Sequence, residues 1–359
     1  MASSLNLLVL DGDGIGPEIV AATLQVLRAA QTTFGFDLDY TRADIGWAAH
    51  RKSGTTCPDD IFERARQADG VILGPVSHND YPPREQGGLN PSGELRRRLD
   101  LYANIRPARS RPGFPPRCGA PVDLVIVREN TEGFYADRSM HLGPGEYMPT
   151  PDLALATRKV TRRGSTRIAE AAFALAAQRR RKVTAVHKAN VLRVSDGLFL
   201  ECVRAVAARH PDIAYEERLI DAMAALLVRD AGPFDVVVTT NMFGDILSDE
   251  ASEIAGSLGL AASLNAGADH AVAQAQHGSA PDIAGKNIAN PSSLIGSVAM
   301  LLAWLGERRG DERLANAARG IEAALDRVLA QADGRARDLG GHLDTDAFGA
   351  RVAAEVKRT

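Results

Sequence analysis

Two aspartates, Asp245 and Asp249, stand four residues apart in the segment FGDILSD at 243–249. On a helix that spacing turns both carboxylates to one face, here beside the helix N-terminus. Carboxylates held this close repel unless something cationic lies between them. With oxygen ligands and no thiolate or imidazole cluster in view, a hard divalent ion such as Mg2+ or Mn2+ is the natural occupant. The alternative is plain helix capping, acids of the first turn offsetting the helix dipole. Arginines gather in LRRRLDLYANIR at 95–106, and Arg128 ends an apolar strand directly before Glu129. Their planar forks suit carboxylate ligands, while surface charge is the alternative for any one of them. Arg96, Arg97 and Arg98 are consecutive, so a helix cannot aim all three at one ligand and at least one is expected in solvent. Lys188 closes the apolar run at 182–187 and could serve as a base if its surroundings favour the neutral amine; an exposed lysine is the alternative. Tyr135 and Asp221 mean little in isolation, and His187 reads as a packing or surface residue.

The elements that must position these groups alternate along the chain. Short runs rich in Val, Ile and Leu at 5–10, 70–74, 122–127, 182–187 and 234–240 read as parallel strands covered on both faces. Helical periodicity is expected near 165–180, 195–209, 245–256, 291–305 and 311–331. The class is α/β. Between the first strand and a helix opened by Pro17 lies DGDGIGPE at 11–18, a place where free amides favour anions. Its glycines, Gly12, Gly14 and Gly16, are spaced GxGxG, and Pro17 stands where a dinucleotide fingerprint needs its last glycine, so the loop reads equally as a tight turn. Stretches 110–121 and 142–152, rich in Pro and Gly, are expected to be exposed loops. The basic run at 179–182 is expected to be a solvated helix end.

Composition narrows the partners. The 359 residues suit about two domains. Forty-two Lys and Arg against 45 Asp and Glu give a net charge of −3, without the basic excess that nucleic acid or anionic lipid favours. A small-molecule ligand is the better expectation. Cys57, Cys118 and Cys202 are far apart and indicate neither a disulfide framework nor a zinc site. The first residues lack a basic targeting pattern and no stretch is apolar enough to span a bilayer, so a cytoplasmic location without membrane attachment is expected.

Seven motifs occur in one order: GDGIGPE at 12–18, LRRRLDLYANIRP at 95–107, VRENTEGFY at 127–135, HKANVL at 187–192, DAMA at 221–224, NMFGDILSD at 241–249 and HGSAPDIAGKNIANP at 277–291. Together they closely resemble the metal-dependent β-decarboxylating dehydrogenases, the family of isocitrate, isopropylmalate, homoisocitrate, tartrate and D-malate dehydrogenases. The resemblance spans residues 9–348. It implies an isopropylmalate dehydrogenase-like α/β fold, with two domains and a central cleft in place of a standard Rossmann fold. Residues 1–100 with 257–359 would bind the cofactor, and 101–256 would carry substrate, metal and the dimer contact. A homodimer with shared active sites is implied. Arg96, Arg106 and Arg128 would bind the substrate carboxylates, with Ser92 and Asp221 nearby. Asp245 and Asp249 of one subunit and Asp221 of the other would hold Mg2+ or Mn2+. Lys188, also from the partner subunit, would take the C2 hydroxyl proton, and Tyr135 would protonate C3.

The same resemblance gives the cofactor to the segment opened by His277, Gly278, Ser279, Ala280, Pro281, Asp282 and Ile283 and closed by Asn290. A carboxylate at Asp282 accepts hydrogen bonds from a ribose diol and repels a 2′-phosphate, so NAD is expected over NADP. The implied reaction is oxidative decarboxylation of a (2R)-malate or 3-substituted malate, with hydride leaving C2 and the C3 carboxylate lost as CO2. LRRRLDLYAN and VRENTEG look most like isocitrate and homoisocitrate enzymes. Segment 86–95 lacks the arginine that a long acidic substituent would call for, and Asn90, Ser92 and Glu94 are more polar than an isopropyl group calls for, which keeps 3-isopropylmalate, D-malate and tartrate as alternatives. A carboxylate-binding protein without catalysis is the alternative of another class.

Overall fold

A strand covered on both faces has little room for polar side chains, and the apolar runs at 5–10 and 70–74 accordingly fold as buried neighbours. The computed structural model describes residues 4–135, 143 and 145–358. Twelve strands lie among these described residues: β1 (Leu5–Leu10), β2 (Leu38–Ala43), β3 (Gly70–Leu73), β4 (Ala103–Arg109), β5 (Asp123–Glu129), β6 (Glu146–Thr150), β7 (Leu153–Ala156), β8 (Lys182–His187), β9 (Ala214–Leu219), β10 (Val236–Thr239), β11 (Leu264–Ala266) and β12 (Ala271–Gln274). Eleven α-helices accompany them: α1 (Gly16–Phe34), α2 (Gly46–Ser53), α3 (Asp60–Gln67), α4 (Pro91–Arg98), α5 (Arg162–Ala177), α6 (Ser195–Ala207), α7 (Ile220–Arg229), α8 (Asn241–Ala255), α9 (Ser292–Arg309), α10 (Glu312–Ala330) and α11 (Thr345–Val356). The fold is α/β, as the alternation of patterns indicated.

Ten strands form one sheet in the order β2-β1-β3-β12-β11-β4-β5-β10-β8-β9. The groups β2-β1-β3-β12 and β5-β10-β8-β9 are each parallel within themselves. Between them β12–β11, β11–β4 and β4–β5 are antiparallel, so the two groups run in opposite senses. Periodicity pointed to parallel strands alone. β4 and β11 escaped it because they are not apolar runs: ANIRPAR carries Asn104, Arg106 and Pro107, and LNA is three residues long. Buried apolar clusters follow the same division. Two are built from residues within 5–101 and 260–356, and two from residues within 103–255.

Two loop-level expectations change. Residues 110–121 hold no helix or strand, but within 142–152 the described part includes β6, which pairs with β7 in a separate antiparallel hairpin. Pro149 is tolerated because it falls at the register irregularity between Tyr147 and Thr150 of an edge strand. The basic run after α5 is anchored as well as solvated. Arg179 donates to the buried Asp235 at 2.8 Å and to Asp123 at 2.8 Å, and Arg180 donates to the Asp123 carbonyl at 2.7 Å. These bonds tie the end of α5 to the start of β5 and to the residue before β10.

The glycine loop resolves in favour of the turn. Asp13 N donates to Pro75 O, Ile15 N to Ser279 O and Gly16 N to Asp13 O, so these amides are occupied by the chain itself. Gly14 has φ +57, and a Cβ there would lie 2.0 Å from Ser279 O. Asp13 accepts from Trp47 N at 2.8 Å, Ser77 N at 3.0 Å and the Tyr81 hydroxyl, which fastens the loop below. Gly14→Ala is expected to cost more than about 2 kcal/mol, combining left-handed strain with backbone overlap. Urea unfolding checks this; a loss under 0.5 kcal/mol would show that the two loops part freely.

Candidate active site

Pairing of β5 with β10 places Arg128 opposite Thr239. Because β10 leads through Thr240 straight into α8, the first turns of that helix rise beside the end of β5. Arg128 lies along them, 2% exposed: Nε and Nη2 donate to Asn241 Oδ1 at 3.2 and 2.7 Å, and Nη1 reaches Asp245. Gly244 makes this possible, since a Cβ there would sit 2.6 Å from Arg128 Cγ. From the adjacent β4, Arg106 Nη1 donates to Asp245 Oδ1 at 3.0 Å and Ser248 Oγ at 2.7 Å and lies 3.5 Å from Asp249. A guanidinium of the same chain thus reaches both aspartates. The helix begins at Asn241, a turn earlier than expected, so Asp245 is not a first-turn acid and the capping reading falls.

Charge at this point is strongly coupled. Burial would raise the Asp245 carboxyl, but the Arg128, Arg106 and Arg96 guanidiniums outweigh it and hold it below the usual carboxylate range. Burial and the neighbouring Arg128 pull Arg106 down to about 10, which still leaves it charged near neutrality. Above these groups opens a cleft of about 280 Å³, whose lining includes Asn90, Ser92 and Arg96 from α4 and its cap, Arg106, Arg128, Tyr135, Asp245, Gln274, Gln276, His277 and Gly278. Three arginines face one carboxylate across that lining, so the cleft favours anions. Burial pulls the His277 imidazole down, favouring its neutral form.

Each predicted residue now has a place. Arg96, Arg106, Arg128, Ser92, Tyr135, Asp245, His277 and Gly278 meet at the cleft. Asp249 joins them through Arg106. Lys188 and Asp221 lie apart from this lining and bond each other, Nζ to Oδ1 at 2.6 Å, with the Asp221 side chain 64% exposed. Asp196 fixes the Lys188 backbone at 2.6 Å and pairs with Arg158 in a buried bridge. In the proposed cofactor segment, Asp282 and Pro281 are exposed on a short 3-10 turn that ends at the half-buried Ile283, while Ala280 adopts a left-handed φ of 39°. Ser279 is occupied by Ser77 at 2.7 Å, and Asn290 by Asp338 and Ser292 N, both at 3.0 Å. Sequence reasoning missed Gln274, Gln276 and Ser248. The alternation AVAQAQ before His277 was the available signal for the first two, because period-two polarity marks a strand edge facing a cleft.

The family model described as isocitrate/isopropylmalate dehydrogenase matches residues 6–352. The chain belongs to that family. It is 42% identical over 351 residues to the isocitrate/homoisocitrate dehydrogenase of Thermus thermophilus, covering 97% of this chain and 98% of that protein. It is 40% identical over 338 residues to the 3-isopropylmalate dehydrogenase of Sulfurisphaera tokodaii, covering 94% and 95%. The crystal structure of isocitrate dehydrogenase from Methylococcus capsulatus superposes with a TM-score of 0.86 at 40% identity, covering 98% of this chain and 99% of that one. Membership of the isocitrate/isopropylmalate dehydrogenase family makes the chain a dehydrogenase and leaves its substrate to the cleft.

Helix α4 carries Ser92 and Arg96 to that cleft, and Glu94 anchors its other side. Asn90 caps it by accepting from Gly93 N at 3.2 Å. Glu94 accepts from Arg97 at 2.7 Å and Arg84 at 3.4 Å, with Arg98 at 3.6 Å, and Arg98 also stacks on Phe62. The consecutive arginines thus divide as expected: Arg96 faces the cleft, while Arg97 and Arg98 remain exposed to solvent as they anchor Glu94. Burial would raise the Glu94 carboxyl; the Arg97 hydrogen bond and the charges of Arg97, Arg84 and Arg98 hold it below 4.5. A carboxyl depressed in the folded state stabilises above its unfolded value and loses that contribution as pH falls through its folded value. Glu94→Gln is expected to cost roughly 1.5–3 kcal/mol at neutral pH, with the gap to the native protein narrowing below pH 4.5. Urea titrations at pH 7 and pH 3 test it, and a gap independent of pH would mean the anchor is not ionic.

Proposed function

We propose that this protein carries out the NAD-dependent oxidative decarboxylation of a (2R)-malate with a polar C3 substituent, an isocitrate- or homoisocitrate-like substrate. The observation that carries the reading is the buried pair Arg106 and Arg128 held against Asp245 at the foot of an arginine-lined cleft. Arg96, Arg106 and Arg128 bind the carboxylates and fix the hydroxyl-bearing carbon. Ser92, Asn90 and Gln274 make the wall nearest α4 polar, which supports a hydrogen-bonding substituent over an isopropyl group.

Asp245 and Asp249 offer hard oxygen ligands, which fits Mg2+ or Mn2+. Among the described residues no group of three or more His, Cys, Asp or Glu could hold a metal within one chain. A third carboxylate must then come from elsewhere, and Asp221 of a second copy is the proposed source, with Lys188 beside it. Supporting a homodimer, Val191, Val194, Met242 and Ile246 are exposed near these residues, as are Tyr147, Met148, Leu153 and Leu155 of the β6–β7 hairpin; a lone two-stranded hairpin needs such cover. When bound, the divalent ion supplies positive charge beside the oxygen that becomes negative. Lys188 would take the C2 hydroxyl proton and Tyr135 would return a proton to C3 after the carboxylate leaves, with NAD, when bound, supplying the hydride acceptor. In the proposed division, 1–100 with 257–359 holds the cofactor along His277 to Asn290, where exposed Asp282 favours a ribose diol, and 101–256 holds substrate and metal.

A shared site makes a distinctive prediction. Lys188→Met and Asp245→Asn are each expected to abolish NADH formation while leaving a folded dimer. Refolded together in equal amounts they form mixed dimers with one intact site, so about a quarter of native activity returns. Assays use Mn2+, NAD or NADP, and isocitrate, homoisocitrate, 3-isopropylmalate, D-malate and tartrate. No recovery in a mixture containing mixed dimers would refute the shared site, and a preference for 3-isopropylmalate would refute the polar substituent.

A further inference from the structure

Gln276 follows β12 and directly precedes His277. It extends from the part of the molecule built by the two chain ends to α8 in the other part: Nε2 donates to Asp249 Oδ1 at 2.6 Å, with Ser252 Oγ at 3.5 Å. An ionised carboxylate only accepts, so this bond fixes which end of the amide faces Asp249. The opposite end, Oε1, is buried, and no donor among the described residues reaches it. A buried acceptor without a donor carries a desolvation cost of about 1–3 kcal/mol, which a ligand supplying the donor would relieve. Gln276 belongs to the cleft lining together with Asp245, so a donor arriving with the cleft's occupants is within its surroundings.

We propose that Gln276 is a positioning residue of the metal site: its amide holds the Asp249 carboxylate in place, and its carbonyl accepts a hydrogen bond from water carried by the divalent ion. This rests on the reading that Asp245 and Asp249 hold that ion. Mg2+ and Mn2+ keep several waters when few carboxylates bind them, and those waters are strong donors. Groups that orient ligands in this way typically set metal affinity by 10–100-fold.

The test measures Mn2+ dissociation constants on the full-length protein by the electron paramagnetic resonance signal of free Mn2+, without substrate or NAD. Gln276→Leu is expected to weaken Mn2+ by about 10–100-fold while the melting temperature of the metal-free protein stays unchanged. Gln276→Asn, which keeps the amide's donor and acceptor on a shorter arm, is expected to recover part of that affinity. Native affinity in Gln276→Leu, alongside lost affinity in Asp245→Asn, would overturn the inference and leave the metal site standing. Equal losses in both Gln276 variants with a lowered melting temperature would assign Gln276 to packing and overturn it. Native Mn2+ affinity in Asp245→Asn would remove the metal site itself and the inference with it.

Discussion

Two guanidiniums buried side by side are costly, and the organisation of this site follows from how that cost is met. Arg106 and Arg128 come from adjacent antiparallel strands, are 6% and 2% exposed, and repel one another. Removing such charges from water costs several kcal/mol each unless partners accept their hydrogen bonds. Helix α8 supplies those partners in three successive turns: Asn241, then Asp245, then Ser248 with Asp249 just beyond. The compensation is incomplete, since Arg106 Nε is buried with no partner among the described residues. A cleft floor with unspent positive charge binds a small polyanion without having to reorganise, which is the electrostatic condition for positioning a carboxylate substrate.

This arrangement depends on the reversal at the middle of the sheet. Were β4 parallel to β5, successive residues would not place Arg106 and Arg128 beside the same helix from opposite chain directions. The antiparallel strands also join the two parallel groups, so the cleft lies where one pair of apolar cores ends and the other begins. Ligands of open α/β sheets commonly bind where strand order reverses, for the related reason that loops diverge there. The glycine loop at 11–16 has a supporting part in this design. Its amides go to Pro75 and Ser279, which holds the segment entering the cleft at His277 against the end of β3 and the start of α1.

Much of this was legible in the residues themselves. Strands at 5–10, 70–74 and 182–187 were readable because burial on both faces leaves a continuous apolar run. β4 and β11 were not, because they carry polar residues whose partners lie far along the chain: Asn104 of β4 donates to Ser263 just before β11, and Asn265 of β11 accepts from Asn130 just after β5. A local pattern cannot show which polar residue will find a partner more than a hundred positions away. The same limit explains the aspartates. Spacing placed Asp245 and Asp249 on one face, but that Arg106 and Arg128 would reach them depends on β4, β5 and β10 being neighbours, which only the fold determines. Gln276 escaped notice for a third reason: the alternation AVAQAQ marks it as polar, but a role for it shows only once its amide is seen with one end bonded and one end bare.

Lys188 and Asp221 form a pair of their own, away from the cleft. They bond each other at 2.6 Å, and that bond holds the Asp221 carboxyl below its usual range, so the two groups are organised yet stand apart from the cleft. Exposed ion pairs contribute little to stability, so folding alone gives no reason to build one at this position with its lysine backbone fastened to the buried Asp196. The apolar side chains exposed at Val194, Ile246 and Met148 carry the same implication, since water gains nothing from leaving them uncovered. A second copy that covered those faces would bring a pre-set amine and carboxylate to a site already supplied with guanidiniums and two aspartates. Catalysis in this proposal is then tied to association: the chain that binds the anion is not the one that supplies the base, and each fold is complete before either site is.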